Sequence, residues 1–524
     1  MIPADIRCFY DYVPGGEEKL FTAVYLPGKG EKFPAVLIRT PYVDAQETMT
    51  ETEALTVFQP EALRFVRGGF AVVWQHCRGR GLSSGECIPC LNERQDSLAL
   101  QDWVRRQPFY DGRLLLWGAS YLTLVHYAAA PFAPDVKGAF FAVMDDSYYD
   151  LCYRNGFLKT GLYGSWYVSM YRAKAHLPKH YTPASFDLLP LSAFSRTVFG
   201  EEAADFDRVL QHPDPADDFW QTAYGDVRHV AEQAEIPILF ATGFYDIVTG
   251  GMLEMWRRLS PACRARSAML ISPYDHGDAA EASPIRFPAG TREQGFGKDH
   301  DVRWLRWVCG MEEHPPVPTG QVSYYRLFEN RWATDDFASD GQLTLPLSGQ
   351  PVTYPYDPFD APSFPGGMCT NFGGAAYQPA PGARRDVVTV YTPPLDADTF
   401  VKGEMRLTLP VRSDCEDTCF AVRISVPRDG GDFGLRDDIT SLCRQVPDYA
   451  PGSEAVLEFS FDPHAFLLRR GERLRVDIAS ADKAHYVRHT NQKGLYSAQA
   501  TARIAHNTVD PSRAVLTLET EVEE

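Results

Sequence analysis

Three residues far apart in this chain have the types and settings for acyl chemistry: a serine, an aspartate and a histidine. Ser120 stands in Arg113-Leu-Leu-Leu-Trp-Gly-Ala-Ser-Tyr-Leu122, where a short apolar run ends at Gly118-Ala-Ser and a small-residue helix (Val125 to Ala130) follows. A strand, a sharp turn and a helix in that order lift a serine hydroxyl above a sheet, beside the start of the helix. Gly118 suits such a turn because a side chain there would clash where helix and strand come close. The hydroxyl needs a base to take its proton, and the base needs an acid to orient it. Downstream, the apolar run Pro237 to Ala241 leads through Thr-Gly-Phe-Tyr to Asp246, and the run Ala268 to Ser272 leads through Pro-Tyr-Asp to His276. An acid and a base thus follow consecutive strands, each at a strand end where a side chain can reach the serine. Asp275 is the rival acid, but side chains of adjacent residues point poorly toward one another. Of the 13 histidines, His126 lies in the helix behind the serine, His76 precedes the serine, and His229 falls outside the strand pattern.

The elements that must hold these residues follow a simple rhythm. Apolar runs at Phe21 to Leu26, Pro34 to Arg39, Phe70 to Gln75, Arg113 to Trp117, Lys137 to Val143, Pro237 to Ala241, Ala268 to Ser272 and Val322 to Leu327 alternate with helical patterns such as Glu93 to Arg106 and Arg303 to Cys309. Nearly continuous apolar strands are buried on both faces, and their alternation with helices predicts a mostly parallel sheet covered on both sides. The order serine, acid, histidine on such a sheet is that of an α/β-hydrolase. Between about 145 and 235 the rhythm stops, and aromatic residues become dense (Tyr148, Tyr149, Tyr153, Phe157, Tyr163, Trp166, Tyr167, Tyr171). This stretch reads as a helical cap inserted in the sheet domain. Past 350 the texture turns to Pro, Gly and Asp. Apolar residues then fall at every second position, as in Phe420, Val422, Ile424 and Val426, which predicts an antiparallel β-sandwich. The expected division is 1–144 with 236–350 for the α/β domain, 145–235 for the cap and 351–524 for the sandwich.

Composition narrows the function. At 524 residues the chain exceeds one ordinary core, so two or three domains are expected. The 51 Lys and Arg against 69 Asp and Glu give a net charge of -18, which repels nucleic acid, and no basic run offers an exception. No apolar run is long enough to cross a bilayer, and the first residues do not form a secretory signal. A cytoplasmic location is therefore expected. Eleven cysteines spread along the chain do not form a disulfide framework, and Cys87-Ile-Pro-Cys90 lacks a second pair, so reduced structural thiols are expected and no metal site. No cofactor is needed for two-step acyl transfer by protein groups and water. A homo-oligomer is compatible with the sequence.

Several segments resemble the cocaine esterase and Xaa-Pro dipeptidyl-peptidase-like acyl hydrolases, a family that includes α-amino-acid ester hydrolases. Ile38-Arg-Thr-Pro-Tyr42 is similar to its Arg-x-Pro-Tyr segment, and Arg78-Gly-Arg-Gly-Leu-Ser-Ser-Gly85 to its RGRGxSxG loop. Asp111-Gly-Arg through Gly118-Ala-Ser-Tyr121 resembles the elbow. Gly243-Phe-Tyr-Asp246 and Pro273-Tyr-Asp-His276 resemble the acid and base segments, and Asn330-Arg-Trp332 with Tyr356-Asp-Pro358 the exit into a C-terminal domain. The resemblance covers most of the chain. It implies a hydrolase core, an inserted helical cap and a jelly-roll-like C-terminal domain. It also implies Ser120 as nucleophile, His276 as general base and acid, and Asp246 as its orienter. The oxyanion hole it implies joins the Tyr121 backbone N–H to the Tyr42 hydroxyl. Three departures stand out. Leu122 stands where the common nucleophile elbow has a second glycine, Thr123 stands where this family usually has a glycine, and His76-Cys77 replaces the usual Asp-x before the RGRG loop.

For substrate, the expectation is a small ester, or an amide, whose apolar or aromatic acyl group is held by cap aromatics such as Trp166 and Tyr149, with Phe244 beside the acid. Asp146 follows the Lys137 to Val143 strand and is placed at the pocket mouth, although capping a helix is the plainer role for it. Residues Ile247-Val248-Thr249 carry no acid, so a full amino-terminus site is not expected. The alternatives are a dipeptidyl-peptidase or amidase using the same triad, and a non-catalytic binding protein working through the sandwich.

Overall fold

The computed structural model describes residues 3, 5–43, 49–57, 59–175, 183–222, 229–276, 285–368 and 373–522. A ten-stranded mixed sheet is built from β1 (Ile6–Gly15), β2 (Glu18–Pro27), β3 (Phe33–Thr40), β4 (Ala71–His76), β5 (Tyr110–Ala119) and β6 (Val136–Ala142), a short hairpin β7 (Tyr153–Arg154) and β8 (Phe157–Leu158) lying outside it, then β9 (Ile238–Tyr245), β10 (Ala268–Asp275), β11 (Val322–Arg326) and β12 (Arg331–Asp335). Its order is β1-β2-β4-β3-β5-β6-β9-β10-β11-β12. The strands from β4 through β11 run parallel, and β1, β2 and β12 close the edges antiparallel. This is an α/β-hydrolase core.

Burial on both faces explains the apolar runs. Every residue of β3, β4 and β9 is buried. Successive residues serve opposite sides: Ala35, Leu37, Leu114 and Leu116 join one core cluster, and Val36, Ile38 and Leu115 the other. Helices Glu93–Arg105 and Tyr121–Tyr127 pack on the first side, and His300–Val308 on the second. Within this sheet the edge strands β1 and β12 lie outside the apolar runs. Edge strand β1 exposes Phe9 and Tyr10, so it lacks the continuous apolar signal of its inner neighbours.

Between β6 and β9 the described residues are mainly short helices, with the two-residue strands β7 and β8 added. Their aromatics pack on one another: Tyr167 lies 4.6 Å from Phe206 and Phe186 lies 4.5 Å from Phe194, ring centre to ring centre. Beyond β12 the chain forms two antiparallel sheets, one of six strands and one of five. The first sandwich strand is Gly341–Pro346, paired with Val515–Glu521. The sandwich therefore begins ahead of the expected residue 351, because this strand is largely exposed and carries few apolar residues to announce it. No helix among the described residues is long and apolar enough to cross a membrane.

Candidate active site

Ser120 sits between β5 and helix Tyr121–Tyr127 with a backbone φ of 56°. A non-glycine residue in that region is strained, and such strain gathers where a side chain must be aimed. The turn is held by Ser120 N–H to Ala142 O at 2.9 Å and Thr123 N–H to Ser120 O at 2.8 Å. A Cβ on Gly118 would lie 2.2 Å from the Leu122 carbonyl oxygen, so only glycine fits there. The unusual Thr123 is accommodated differently: fully buried, its hydroxyl donates to Ala142 O at 3.1 Å and receives Ala142 N–H at 3.3 Å, tying the helix to the end of β6.

β9 and β10 bring the acid and the base to the same place. A Cβ on Gly243 would lie 2.1 Å from the Tyr274 carbonyl oxygen, so this glycine lets the two strand ends approach. His276 Nδ1 lies 2.8 Å from Asp246 Oδ1, and its Nε2 lies 3.0 Å from Ser120 Oγ. Thr242 Oγ1 donates to Asp246 Oδ2 at 2.9 Å and fixes the carboxylate from behind. Asp246 is fully buried, and the His276 side chain is 17 % exposed. Desolvation pulls the imidazole pKa down, but the charge of Asp246 and its hydrogen bond, with Asp275 adding, leave it above the ordinary value. Such a relay can take a hydroxyl proton and return it to a leaving group. Two buried histidines beside the serine turn and the Arg78 to Gly85 loop differ. His76 and His126 are both pushed down to about 3 by burial, and His126 Nε2 pairs with Trp117 O at 3.1 Å.

Tyr42 lies two residues beyond β3, with its hydroxyl 3.4 Å from Ser120 Oγ. Desolvation raises the pKa of this phenol, while hydrogen bonding with Ser120, the Trp166 side chain and the Tyr121 backbone pulls the other way. A neutral phenol is the state that donates. The Arg78 to Gly85 loop braces this corner. Arg80 Nε donates to Pro41 O at 2.6 Å and its Nη1 to Met170 O at 3.1 Å, linking the β3 end to the cap helix that carries Trp166. His76, in the place of the usual acid, takes Leu82 N–H on Nδ1 at 3.2 Å and so still holds the loop. Tyr121 is anchored below, its hydroxyl donating to Glu93 at 2.9 Å.

Ser120, His276, Tyr42 and Tyr121 border a cavity of about 260 Å³. Trp166 lines it and stacks on Tyr121 at 5.6 Å. The remaining wall is mostly apolar: Leu124, Met144, Tyr148, Leu151, Leu162 and Ile247 among others, with no carboxylate among the described lining residues. Three of the residues expected to touch substrate lie elsewhere. Phe244 is fully buried against the sandwich, its ring stacked on His464 at 4.6 Å. Tyr149 turns into the cap, stacking on Tyr153 at 5.5 Å and donating to Pro213 O at 3.0 Å. Asp146 is taken by Arg258, whose Nη2 donates to both carboxylate oxygens at 2.7 and 2.8 Å. Tyr148, next to Tyr149, lines the cavity instead; the run of cap tyrosines signals that some face the site but not which.

Cys87 and Cys90 are free thiols. Asp437, Asp482 and His485 in the sandwich have the spacing of metal ligands. Arg423 faces them, its Nη2 3.2 Å from Asp437 and 3.7 Å from Asp482, so a cation already stands there.

Known proteins are similar to this chain over most of its length. Residues 15–278 match the family model of X-Pro dipeptidyl-peptidase (S15 family), and residues 310–515 that of the X-Pro dipeptidyl-peptidase C-terminal non-catalytic domain. The chain belongs to the S15 family. It is a serine hydrolase, as are its relatives. The cocaine esterase of Rhodococcus sp. (strain MB1 Bresler) is 25% identical over 95% of this chain and 96% of that protein. A putative serine esterase of Mycobacterium bovis is 22% identical over 88% of each. Among solved structures, an α-amino acid ester hydrolase superposes with a TM-score of 0.80 at 17% identity, covering 99% of this chain and 97% of that one. That likeness shows the shared fold.

Proposed function

We propose that this S15-family protein is an esterase that cleaves small esters with an apolar or aromatic acyl group through Ser120, His276 and Asp246. Ser120 Oγ attacks the acyl carbonyl as His276 Nε2 takes its proton, and Asp246 stabilises the imidazolium. The Tyr121 N–H and the Tyr42 hydroxyl receive the negative charge on the carbonyl oxygen. His276 then protonates the departing alcohol, and water, deprotonated by the same nitrogen, releases the acid.

The observation that carries this reading is the relay from Asp246 to Ser120 opening onto an apolar cavity. The cap side chains around Trp166 suit an aryl or branched alkyl group, and desolvating them on binding is favourable. A peptidase acting on a free amino terminus needs a counter-charge beside the acyl group. The nearby acids Asp145 and Asp150 line a separate polar cleft that shares only Ile247 with the acyl cavity. Burial, and then the charges of Asp150 and Asp146, push the Asp145 carboxyl well above the usual range, which disfavours the charged form a counter-charge needs.

Two measurements test the proposal. A fluorophosphonate should label the protein stoichiometrically and fail to label Ser120→Ala. Benzoyl and short-chain aryl esters should be turned over with kcat/KM at least about 100-fold above that for Ala-Pro anilide, a gap of about 2.7 kcal/mol. A preference for the anilide would transfer the chain to the peptidases.

A further inference from the structure

The C-terminal sandwich reaches the strand end that carries Asp246, and it does so with a buried cation. Arg436 lies in the sandwich strand Gly431–Ser441 and is fully buried. Its Nε donates to Asp462 O at 2.9 Å and its Nη2 to Pro463 O at 2.5 Å. Its Nη1 donates to the carbonyl oxygen of Phe244, two residues before Asp246. Burial lowers this guanidinium to about 10. Placing a cation in such a site is costly unless it is well hydrogen-bonded, and here each of its three nitrogens donates to a backbone carbonyl, two in the sandwich and one in the sheet domain.

The rest of the contact converges on Phe244 and its neighbour Tyr245. The guanidinium carbon lies 6.0 Å from the centre of the Phe244 ring and 5.8 Å from that of Tyr245. Tyr245 donates its hydroxyl to Gly434 O at 2.7 Å, and Phe244 stacks on His464. The β9–β10 ladder is irregular at this point: Gly243 pairs with Ser272 and Tyr245 with Asp275, and Phe244 is skipped. The sheet therefore leaves the Phe244 peptide to be held by something else, and the direction of that peptide sets where the Asp246 turn begins.

We propose that Arg436 is a positioning residue for Asp246, through which the C-terminal sandwich aims the carboxylate at His276. The inference rests on the triad reading above. It gives the sandwich a part in the reaction without any contact to substrate.

The test compares Arg436→Lys, which keeps charge but loses the fork, and Arg436→Ala with and without added guanidinium. Rates are taken per phosphonate-titrated site, so that unfolded protein does not count. Displacing a reacting group by about 1 Å costs about 100-fold in rate, so kcat should fall about 10- to 100-fold in both variants, with KM for a short aryl ester little changed. The acid limb of the pH profile should move to lower pH, because a misaimed Asp246 raises His276 less while desolvation still lowers it. Guanidinium should restore both quantities in Arg436→Ala. Arg326→Met serves as the interface control. Arg326 pairs with Glu521 at 2.9 Å and covers the Phe400 ring, and its guanidinium donates to Glu329 and Glu521 rather than to the Phe244–Asp246 segment, so its loss should lower the melting temperature without moving the acid limb.

If the Arg436 variants do not fold, Tyr245→Phe removes the single bond to Gly434 and should move kcat and the acid limb the same way by less. Wild-type kcat per site and an unmoved acid limb, in the Arg436 variants or in Tyr245→Phe, would overturn the proposal. Its failure is separable from failure of the triad: Asp246→Asn would then still be inactive, whereas an active Asp246→Asn would remove the reading on which the proposal stands.

Discussion

His276–Asp246 and His485–Asp482 are the same chemical pair in two surroundings. In both, Nδ1 meets an aspartate oxygen, at 2.8 Å in the first and 2.5 Å in the second. In both, desolvation of the imidazole is outweighed by the aspartate, and the pKa lies above the ordinary histidine value. The difference is at Nε2. That of His276 faces Ser120 and an open cavity. That of His485 has no hydrogen-bond partner among the described residues and is walled in with Arg423 and Asp437. A histidine–aspartate pair is therefore not a site by itself. A strained serine on one side and room for an acyl group make it one; closed packing on all sides makes it a structural ion pair.

The sharpest way to break this comparison is to neutralise each aspartate. Asp246→Asn should lower kcat by about 10⁴-fold, because the imidazole loses both its tautomer and its charge partner. Asp482→Asn should leave kcat within about twofold but cost about 3–5 kcal/mol of stability, the penalty for leaving one partner of a buried pair alone. Ester turnover and urea unfolding of both variants decide the matter. A kinetic loss in Asp482→Asn at full occupancy of the fold would mean that the two pairs are coupled.

A smaller effect is expected at the tyrosines beside the pairs. Tyr42→Phe removes one donor to the developing oxyanion and should cost about 2.7–4 kcal/mol in kcat/KM, or about 10²- to 10³-fold. The residue is 46 % exposed, so the fold should not suffer. Tyr486 bonds Asp437 at 3.3 Å in the second cluster, and Tyr486→Phe should change unfolding but not turnover. An equal kinetic loss at both positions would show that Tyr42 acts through packing.

The first pair announces itself along the chain and the second does not, which marks what a sequence can carry. Inner strands such as β3 and β9 are apolar throughout because both faces are covered, so their positions and the loops at their ends can be read directly. Gly118 and Gly243 mark close backbone approaches beside the serine and the aspartate. Edge strand β1 and the first sandwich strand have exposed faces and give no such signal. Side-chain direction is also hidden. Tyr148 and Tyr149 are equivalent in sequence, yet one lines the cavity and the other stacks on Tyr153 in the cap. Phe244 sits beside the acid in sequence, but its direction is set by Arg436 and His464, which lie in another domain. Contacts across such separations leave no local pattern in a single sequence.

The two pairs should also respond oppositely to acid, and this is the finest of the tests. His276 must be neutral to accept the Ser120 proton, and its pKa lies above the ordinary 6.5. The acid limb of kcat/KM should therefore have its midpoint above about pH 6.5, with activity lost as pH falls. For His485, also raised from 6.5, protonation is what the fold stabilises. Its contribution to stability is fully present below about pH 6.5 and is lost as pH rises through its folded-state value. For Asp482 burial raises the pKa, but His485 and Arg423 bring it below the ordinary 3.8. Its contribution is present above about pH 3.8 and lost as pH falls through the folded-state value. The sandwich pair should thus be fully formed near pH 5, where turnover has already declined. Subtracting the unfolding free energy of His485→Gln from that of the wild type at each pH isolates this contribution from that of His276. The difference should shrink on going from pH 6 to pH 9, while the acid limb of turnover stays where it was. A difference independent of pH would place His485 among the neutral buried histidines, with His126.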